Sequence, residues 1–252
     1  MLEQGCFLDV RSKPLPAIKG AVSIPFEELP CRVFELPSLQ TKIPIADTGP
    51  EAHRACEWLV GCGRLGEIAS GFEYGGGAQY RLWSPNQYLE ETLPKVPPGT
   101  ALDLACGSGR DAVYMASRGF EVTAVDHLED ALEFGRELSC RYLVGGKPIR
   151  WVKTDLDKPS ELGKFDLVTC FYYLNRPLLT KVVDLLNPGG HLIVETFTVK
   201  HRETFGKPRS EHLVLQEGEL LRLSAHLQIR DYQESLHNGR YTARLWAQAP
   251  IG

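Results

Sequence analysis

The feature that most constrains the fold is the stretch from Thr100 to Asp126, TALDLACGSGRDAVYMASRGFEVTAVD. Its opening residues are apolar except for Asp103, which is typical of a strand buried on both faces of a parallel sheet. Gly107 and Gly109 follow at once and permit a sharp turn. A helical stretch comes next, and then a second apolar strand that ends at Asp126. The pattern predicts a β-turn-helix-β unit whose turn, helix N-terminus and acidic strand end surround one crevice.

The spacing within this turn is compatible with two classes of cofactor. Residues 107–112 satisfy the pattern G-x-G-x-x-A, and Asp126 lies at about the ~20-residue distance at which an acid binds ribose hydroxyls. Asp103 separates the classes, because a dinucleotide-binding strand would normally carry Val or Ile there. A buried carboxylate is costly unless it meets a cation or N–H donors, and the amino group of a bound methionine moiety would meet it. The spacing alone leaves a nicotinamide dinucleotide open.

The segments LDLACGSGRDA and VTAVDH resemble motif I and the following acidic strand of class I S-adenosylmethionine (SAM) methyltransferases, most closely the tellurite-resistance branch. The resemblance implies a Rossmann-like, seven-stranded α/β sheet and SAM as the cofactor. The family often has glycine where this chain has Ala105, and an alanine at a strand end still exposes its backbone. The cofactor-binding residues that we expect lie before the first strand, in the glycine turn and at strand ends: Arg81, Asp103, Ala105, Gly107, Gly109, Arg110, Asp126, His127, Asp155, Leu156 and Phe171.

The C-terminal part of the chain favours the methyltransferase over the dinucleotide-binding topology. Residues 227–235 and 241–248 are strand-like runs, and Asn238-Gly239 between them is a strong hairpin signal. The final two strands are therefore expected to be antiparallel, whereas a nicotinamide-binding sheet usually ends with parallel strands. A turn at Asn187-Pro-Gly-Gly190, also frequent in these methyltransferases, is expected to interrupt the chain before a strand from His191 to Phe197.

The segment before the first strand allows two interpretations. Ser84 and Pro85 read as the N-cap and first turn of a helix that runs to about Leu93. In the resembling family this segment lies over the methionine end of SAM, which implies that Arg81 pairs with the methionine carboxylate and Trp83 lines the pocket. Alternatively, Trp83 is a core residue and Arg81 is a surface charge.

The remaining strand ends are expected to shape the site for the methyl acceptor. Aromatic rings attract a sulfonium through cation–π interactions, although they also pack in cores, and the candidates are Phe171, Tyr172 and Tyr173. The chain shows no catalytic dyad, so the predicted catalytic residues are separate: Tyr173, Arg176 and His201. Together with Arg202 and Arg209, His201 would steer an anionic acceptor into the site. The alternative is that these residues form a solvated basic loop.

The N-terminal part resembles a different family. Leu8-Asp-Val-Arg11, residues 19–25 and Glu28-Leu29 match landmarks of a rhodanese, or sulfurtransferase, domain. We predict such a domain over residues 1–78, a methyltransferase domain over 79–252, and a glycine-rich linker at 71–77. Rhodaneses carry a persulfide cysteine after the third of these strands, where this chain has Asp47. A carboxylate cannot carry sulfane sulfur, so we expect a truncated, inactive module that packs against the larger domain or recruits a protein partner.

Composition narrows the functional class further. The 252 residues include 43% hydrophobic and 24% charged residues, as in a globular protein, and the net charge of -4 gives no general attraction to nucleic acid. Seven cysteines without a C-x-x-C pair, and a start that lacks a leader pattern, predict a cytoplasmic protein with reduced thiols. The apolar runs are too short for a membrane span. We also expect no metal site.

The sequence therefore yields three functional hypotheses. The first is a cytoplasmic SAM-dependent methyltransferase that acts on a small molecule, with thiol, selenium and tellurium species as candidate acceptors. The second is a nicotinamide-dependent oxidoreductase that uses the same glycine turn. The third is a non-enzymatic protein that binds SAM for regulation.

Overall fold

The computed structural model describes residues 6–76, 80–156 and 162–251. The chain divides into two compact units, Met1–Ser84 and Pro85–Gly252. The boundary predicted between residues 78 and 79 lies outside the described residues, and so does Gly77 at the end of the predicted linker.

The N-terminal unit is built on a four-stranded parallel sheet with the strand order β2-β1-β3-β4. Its strands are β1 (Phe7–Asp9), β2 (Ala21–Ser23), β3 (Lys42–Ala46) and β4 (Leu65–Ala69). Helix α1 (Pro50–Gly61) connects β3 to β4, and short 3-10 turns lie at Phe26–Glu28 and Val33–Glu35. The sequence predicted the first three strands and α1. It missed β4, because LGEIA at this sheet edge is only half-buried and has little apolar alternation.

The C-terminal unit contains one mixed sheet of seven strands. These are β5 (Thr100–Leu104), β6 (Glu121–Asp126), β7 (Arg150–Lys153), β8 (Phe165–Phe171), β9 (Leu186–Phe197), β10 (Gln228–His237) and β11 (Arg240–Gln248). The helices are α2 (Gln87–Thr92), α3 (Arg110–Ser117), α4 (Glu129–Tyr142), α5 (Arg176–Thr180), α6 (Val199–Phe205) and α7 (Glu219–Leu223). Further 3-10 turns lie at Leu93–Lys95, Val182–Leu185 and Glu211–Leu213.

The strand order β10-β11-β9-β8-β5-β6-β7 determines where a ligand can bind. Strands β5, β6, β7, β8 and β9 are parallel, while β11 pairs antiparallel with both β9 and β10. The predicted seven-stranded sheet with an antiparallel C-terminal hairpin is thus confirmed. The chain proceeds outwards from β5 to β7 and then returns to place β8 on the other side of β5. Open α/β sheets bind ligands at such a reversal, outside the carboxyl ends of the strands.

Helix α2 begins two residues later than the sequence predicted. The predicted cap at Ser84 is replaced by Asn86, whose Oδ1 accepts hydrogen bonds from the backbone N–H groups of Tyr88 (2.8 Å) and Leu89 (3.2 Å). Asparagine is among the strongest N-caps, so the local side-chain chemistry explains the shift.

One prediction around β9 was also wrong in detail. Between β8 and β9 the chain forms the short α5 followed by a 3-10 turn. The expected turn at 187–190 lies within β9, which already pairs with β8 from Leu186 onwards and has a register irregularity there. A Cβ at Gly190 would lie 2.9 Å from the carbonyl oxygens of Asn187 and Phe165, so glycine here permits close strand packing.

Each unit has its own apolar core. Leu8, Ile43, Ile45 and Leu59 are fully buried in the N-terminal unit, and a larger cluster of Val, Leu and Phe side chains covers the seven-stranded sheet. Over residues 6–76, 80–156 and 162–251, the helices are all too short or too polar to span a lipid bilayer.

Candidate cofactor and acceptor site

The glycine turn after β5 is tied to the end of β6 by a carboxylate. Gly107 donates its backbone N–H to Asp126 Oδ2 at 2.9 Å, and Leu128 donates to Asp126 Oδ1 at 3.0 Å. Ala105 and Gly107 both have positive φ angles, +55° and +53°, so the backbone turns sharply between strand and helix. A carboxylate has about four acceptor positions, and the two backbone bonds leave Asp126 able to accept from ligand hydroxyls.

The two glycines of the turn have different roles. A Cβ on Gly107 would meet no atom within 4 Å, so its backbone faces open space. A Cβ on Gly109 would lie 2.4 Å from Trp151 Cη2 and 3.1 Å from Gly135 Cα. Gly109 was predicted to allow a ligand to approach, but its missing side chain makes room for the packing of α3 against α4 and Trp151.

Asp103 is the most unusual group at this edge of the sheet. Its side chain is 2% exposed, and Oδ1 accepts a hydrogen bond from Thr169 Oγ1 at 2.8 Å. In the part of the chain that the structure describes, Oδ2 is buried without a hydrogen-bond partner. Burial, reinforced by the charge of Asp111, raises the pKa of Asp103 well above its ordinary value. An unsatisfied buried acceptor costs about 1–3 kcal/mol, so a ligand that donates hydrogen bonds would stabilise this site.

Two further acids belong to this region of the site. Asp111 is half-buried, its Oδ1 accepts the backbone N–H of Asn86 at 2.6 Å, and desolvation raises the pKa of Asp111 to about 6. Glu195 is 1% exposed, accepts from Asn86 Nδ2 (2.9 Å) and Thr242 Oγ1 (2.8 Å), and pairs with Arg244, whose Nε lies 3.2 Å from Glu195 Oε1. Because Arg244 compensates Glu195, the acids that favour a cationic ligand over a pyrophosphate are Asp103, Asp111 and Asp126.

Sequence reasoning did not assign Asn86 or Asp111 to the site. Asn86 caps α2, bonds Asp111 through its backbone and bonds Glu195 through its side chain, so it joins the segment before β5 to the end of β9. Asp111 could have been assigned from the sequence, because GSGRDA places an acidic residue in the first turn of α3, next to the glycine turn. The Asn86 contacts, in contrast, connect residues up to 109 positions apart and leave no local sequence pattern.

Several other predicted cofactor residues lie at the same edge of the sheet. His127 is exposed, with Nδ1 3.3 Å from Asp126 Oδ1. Asp155 is exposed just after β7, while the side chain of Leu156 is buried in the core. Phe171 is buried at the end of β8, and Arg110 is the first residue of α3.

Arg81 and Trp83 belong to the N-terminal unit, not to the unit that carries the glycine turn. The Arg81 guanidinium lies 4.7 Å from the centroid of the Trp83 ring, and the Trp83 side chain is buried. The assignment of Arg81 to the methionine carboxylate stays a prediction.

The predicted catalytic residue Tyr173 packs towards the core. Its ring contacts the main apolar cluster of the C-terminal unit, and its hydroxyl accepts a hydrogen bond from Asn175 Nδ2 at 3.4 Å. The preceding residue, Tyr172, is 40% exposed, has a φ of +56° and donates its backbone N–H to the Glu195 carbonyl at 2.7 Å. Non-glycine residues with positive φ are uncommon and concentrate at functional sites, so Tyr172 is the better candidate of the two.

Arg176, the second predicted catalytic residue, is used structurally. Its guanidinium forms a two-point contact with the Glu219 carboxylate, at 2.5 and 3.1 Å. It also donates to the carbonyl oxygens of His212 (2.8 Å) and Val214 (2.9 Å). These bonds occupy Nε, Nη1 and Nη2, which explains why Arg176 holds the segment before α7 instead of offering donors to a substrate.

His201, the third predicted catalytic residue, lies at the sheet edge but is not a cation. Its Nδ1 accepts the backbone N–H of Tyr241 at 3.2 Å, which requires that nitrogen to be unprotonated. Burial and the nearby charge of Arg240 lower the pKa of His201. The neutral ring then carries its proton on Nε2, so it can donate a hydrogen bond but cannot accept a proton there. Charge steering by His201 is therefore excluded.

A SAM molecule fits the residues at the turn. The open face of Gly107 allows close approach, the unpartnered Asp103 Oδ2 can accept from an ammonium group, and Asp126 can accept from ribose hydroxyls. The surrounding carboxylates match a ligand that carries positive charge and disfavour a dinucleotide phosphate.

Comparison with known proteins identifies the same unit. Residues 101–190 match the family model of the methyltransferase domain. A putative methyltransferase, YqeM of Bacillus subtilis, is 34% identical over 100 residues, which cover 39% of this chain and 37% of that protein. This chain spans less than half the length of the curated relatives it matches.

Solved structures show the same fold at low sequence identity. TehB from Haemophilus influenzae aligns with a TM-score of 0.56 at 20% identity, over 66% of this chain and 62% of that chain. The N-methyltransferase NodS from Bradyrhizobium japonicum, in complex with S-adenosylhomocysteine, aligns with a TM-score of 0.53 at 21% identity, over 65% of this chain and 84% of that chain. The C-terminal unit thus shares the fold of these solved methyltransferases, and residues 101–190 within it are similar to the methyltransferase domain family.

Proposed function

We propose that this protein transfers a methyl group from SAM to a small-molecule acceptor. The observation that carries the proposal is the buried Oδ2 of Asp103, which has no partner among the described residues and lies at the carboxyl edge of β5. A buried carboxylate needs hydrogen-bond donors and a compensating positive charge. An ammonium group supplies both, because it donates up to three hydrogen bonds and is positively charged.

The chain's own residues would hold the cofactor and orient it. Asp126 keeps the glycine turn in place through Gly107 and accepts from the sugar, while Asp103 and Asp111 favour the positively charged amino acid end. When bound, SAM supplies a methyl group activated by a positively charged sulfur. Methyl transfer is an in-line displacement, and holding two reactants in register can supply roughly 7–11 kcal/mol of the barrier.

The thiol, phenol and imidazole groups near the ends of β5, β8 and β9 are poor proton acceptors, which narrows the class of methyl acceptor. Burial raises the pKa of the thiols of Cys106 and Cys170, the latter to about 12, and raises the pKa of Tyr172. The neutral His201 already uses Nδ1 as an acceptor. Acceptors that are nucleophilic without losing a proton in the site fit best, such as thiolates, selenides and tellurium oxyanions.

Isothermal titration calorimetry with the full-length chain tests the cofactor assignment. SAM and S-adenosylhomocysteine should bind, whereas NAD+ and NADH should bind at least about tenfold more weakly, which is about 1.4 kcal/mol. Asp103→Asn should weaken SAM binding by at least about tenfold, because the neutral amide cannot pair with the ammonium group. Asp130→Asn, in the exposed first turn of α4, is the matched control and should leave the affinity unchanged. Binding of NADH without SAM would instead establish the oxidoreductase hypothesis.

We also propose that the N-terminal unit is a degenerate rhodanese-like module that recruits a protein partner. A parallel sheet in which β3 leads directly into α1 supports the likeness, and Asp47 occupies the connecting loop. Wild-type protein should lack thiosulfate sulfurtransferase activity, and Asp47→Cys should introduce it if the loop keeps its anion-binding shape. An active wild type would contradict the proposal of degeneration.

The thiols support a reducing compartment. All seven cysteines are free in the structure. We therefore propose a cytoplasmic location, where glutathione and thioredoxin keep thiols reduced.

A further inference from the structure

The carboxyl edge of β8 and β9 carries a cluster of rings that the cofactor does not require. We call it the aromatic patch, and its members are Tyr172, Phe197, His201, Phe205 and Tyr241. Tyr172 and Phe197 have ring centroids 5.2 Å apart, and Phe197 stacks on His201 at 4.6 Å. His201 continues to Phe205 at 4.8 Å, and Phe205 to Tyr241 at 6.4 Å. Tyr172 is 40% exposed and Phe205 50% exposed, so these two rings of the patch are accessible from solvent.

Two cations lie on this patch without a carboxylate to neutralise them. The Arg240 guanidinium lies 5.2 Å from the centroid of Tyr172 and donates to its hydroxyl at 3.3 Å. Lys200 Nζ lies 4.6 Å from the centroid of Tyr241. Within residues 6–76, 80–156 and 162–251, neither side chain has an acid within ion-pair distance. Other cations of this unit differ, since Arg176 pairs with Glu219 and Arg202 with Glu211.

The nearby polar groups are hydrogen-bond donors. His201 carries its proton on Nε2, because Nδ1 accepts from Tyr241. Arg240 and Lys200 can only donate. Glu195, whose charge acts on Tyr172, is buried, accepts from Asn86 and Thr242, and pairs with Arg244, so its charge is not offered to the patch.

We propose that the aromatic patch with Arg240 and Lys200 binds the methyl acceptor, and that this acceptor is a small, planar, π-bonded molecule with a negative charge. Flat rings stack on the exposed faces, and the unpaired cations bind the charged group. Tyr172 follows β8, which pairs with β5 directly, so an acceptor bound at the Tyr172 end of the patch would lie towards the glycine turn. This inference rests on the proposed methyl transfer and specifies its acceptor.

Methyl transfer to such an acceptor requires no catalytic base from the protein. A lone pair of the acceptor forms the bond to the methyl carbon, the carbon–sulfur bond of the cofactor breaks, and its electron pair stays on sulfur. An acceptor whose nucleophilic atom is already deprotonated needs no base, and His201 and Tyr172 are not available as bases.

Binding of matched probes to the protein saturated with S-adenosylhomocysteine tests the inference. The probes are 2-mercaptobenzoate, which is planar and carries a carboxylate, its methyl ester, which lacks the carboxylate, and 3-mercaptopropionate, which carries a carboxylate but is not aromatic. Calorimetry should give 2-mercaptobenzoate at least about tenfold tighter binding than either comparison compound, since charge-assisted bonds and stacking act together.

Arg240 provides the decisive variant. Arg240→Gln should weaken 2-mercaptobenzoate binding by about tenfold and leave the methyl ester unchanged, while Arg240→Lys should keep most of the affinity. Arg230→Gln on the same hairpin is the control, because Arg230 bonds Gln248 at the far end of β11. Two results would overturn the inference. The first is equal affinity of the wild type for 2-mercaptobenzoate and its methyl ester, and the second is an affinity of Arg240→Gln for 2-mercaptobenzoate within threefold of the wild-type value.

The same experiment separates this inference from the proposed function. S-adenosylhomocysteine should bind wild type and Arg240→Gln equally well, because Arg240 lies outside the cofactor turn. Failure of the wild type to bind S-adenosylhomocysteine would reject the proposed function. Normal cofactor binding without a preference for the planar anion would reject only the acceptor class.

Discussion

The two units each contain a parallel strand that leads through a glycine into a helix, yet only one of these connections looks like a ligand site. In the N-terminal unit β3 leads to α1 with Gly49 as the N-cap residue, and in the C-terminal unit β5 leads to α3 with Gly109. In neither case does a side chain cap the helix. The backbone N–H groups at both helix starts are therefore similar, and the difference lies in the surrounding acids.

The acid beside the first connection is exposed to solvent, whereas the acids beside the second are buried. The Asp47 side chain is 43% exposed, and His53 Nδ1 lies 4.0 Å from its Oδ1. Asp103 and Asp126 are buried, at 2% and 6% exposure. Burial removes solvent from a carboxylate and raises the free energy of the unliganded state, which is why the second connection favours a cationic, hydrogen-bonding ligand. Similar topology thus gives a binding site only where tertiary packing desolvates the polar groups.

The largest effect is expected from glycine substitution in the C-terminal connection. Gly109→Ala should lower the free energy of unfolding by about 3 kcal/mol or more, because the new Cβ would overlap Trp151 and the positive φ would be strained. Gly107→Ala should cost about 1 kcal/mol, since only the strain of its φ applies. Urea unfolding of both variants measures the difference, and equal destabilisation would show that the two glycines are not distinct in role.

Asp126→Ala should produce the next largest effect. It removes the acceptor for Gly107 and Leu128, so SAM affinity should fall by at least about tenfold, or about 1.4 kcal/mol. Calorimetry with SAM provides the measurement, and Asp130→Asn serves as the exposed control. A change below tenfold would remove Asp126 from the ribose contact.

The buried acids should also give stability a distinctive pH dependence. The pKa of Asp111 is about 6 in the folded protein, above its value of ~3.9 in an unfolded chain. The folded state therefore binds this proton more tightly, and the contribution of Asp111 to stability falls as the pH rises from about 4 to 6.

Asp111→Asn removes this dependence while keeping an acceptor for Asn86. The free energy of unfolding of wild type minus that of Asp111→Asn should decrease by about 1–3 kcal/mol between pH 4 and pH 6. Urea unfolding at intervals of one pH unit tests it, and a constant or increasing difference would contradict the raised pKa.

The smallest effect is expected in the N-terminal connection. Asp47→Asn should change the free energy of unfolding by less than about 0.5 kcal/mol, because the exposed carboxylate is already solvated. SAM affinity should be unchanged as well. A loss comparable to that of Asp126→Ala would mean that the two connections are alike in function, and the distinction drawn between them would fail.

Local sequence patterns predicted much of the C-terminal fold. The apolar run at 100–105, the glycine turn and Asn238-Gly239 each act within a few residues, so their strands, turn and hairpin were predicted and are present. The start of α2 was missed because two cap signals compete there, and β4 because an edge strand has little apolar alternation. For the site, strand-end acids mark candidate cofactor residues within a few positions of sequence, whereas the candidate acceptor residues come from separate elements and share no local pattern.

By itself, the sequence determined that an acidic, glycine-rich turn follows a buried strand and that the chain ends in an antiparallel hairpin. Only the tertiary structure decided how those residues are buried, packed and paired. It assigned Gly109 to packing, Arg176 to an ion pair with Glu219 and His201 to a neutral hydrogen-bonded state. The physical reason is that the charge and accessibility of a side chain depend on atoms from strands and helices far away in sequence, and no local pattern records them.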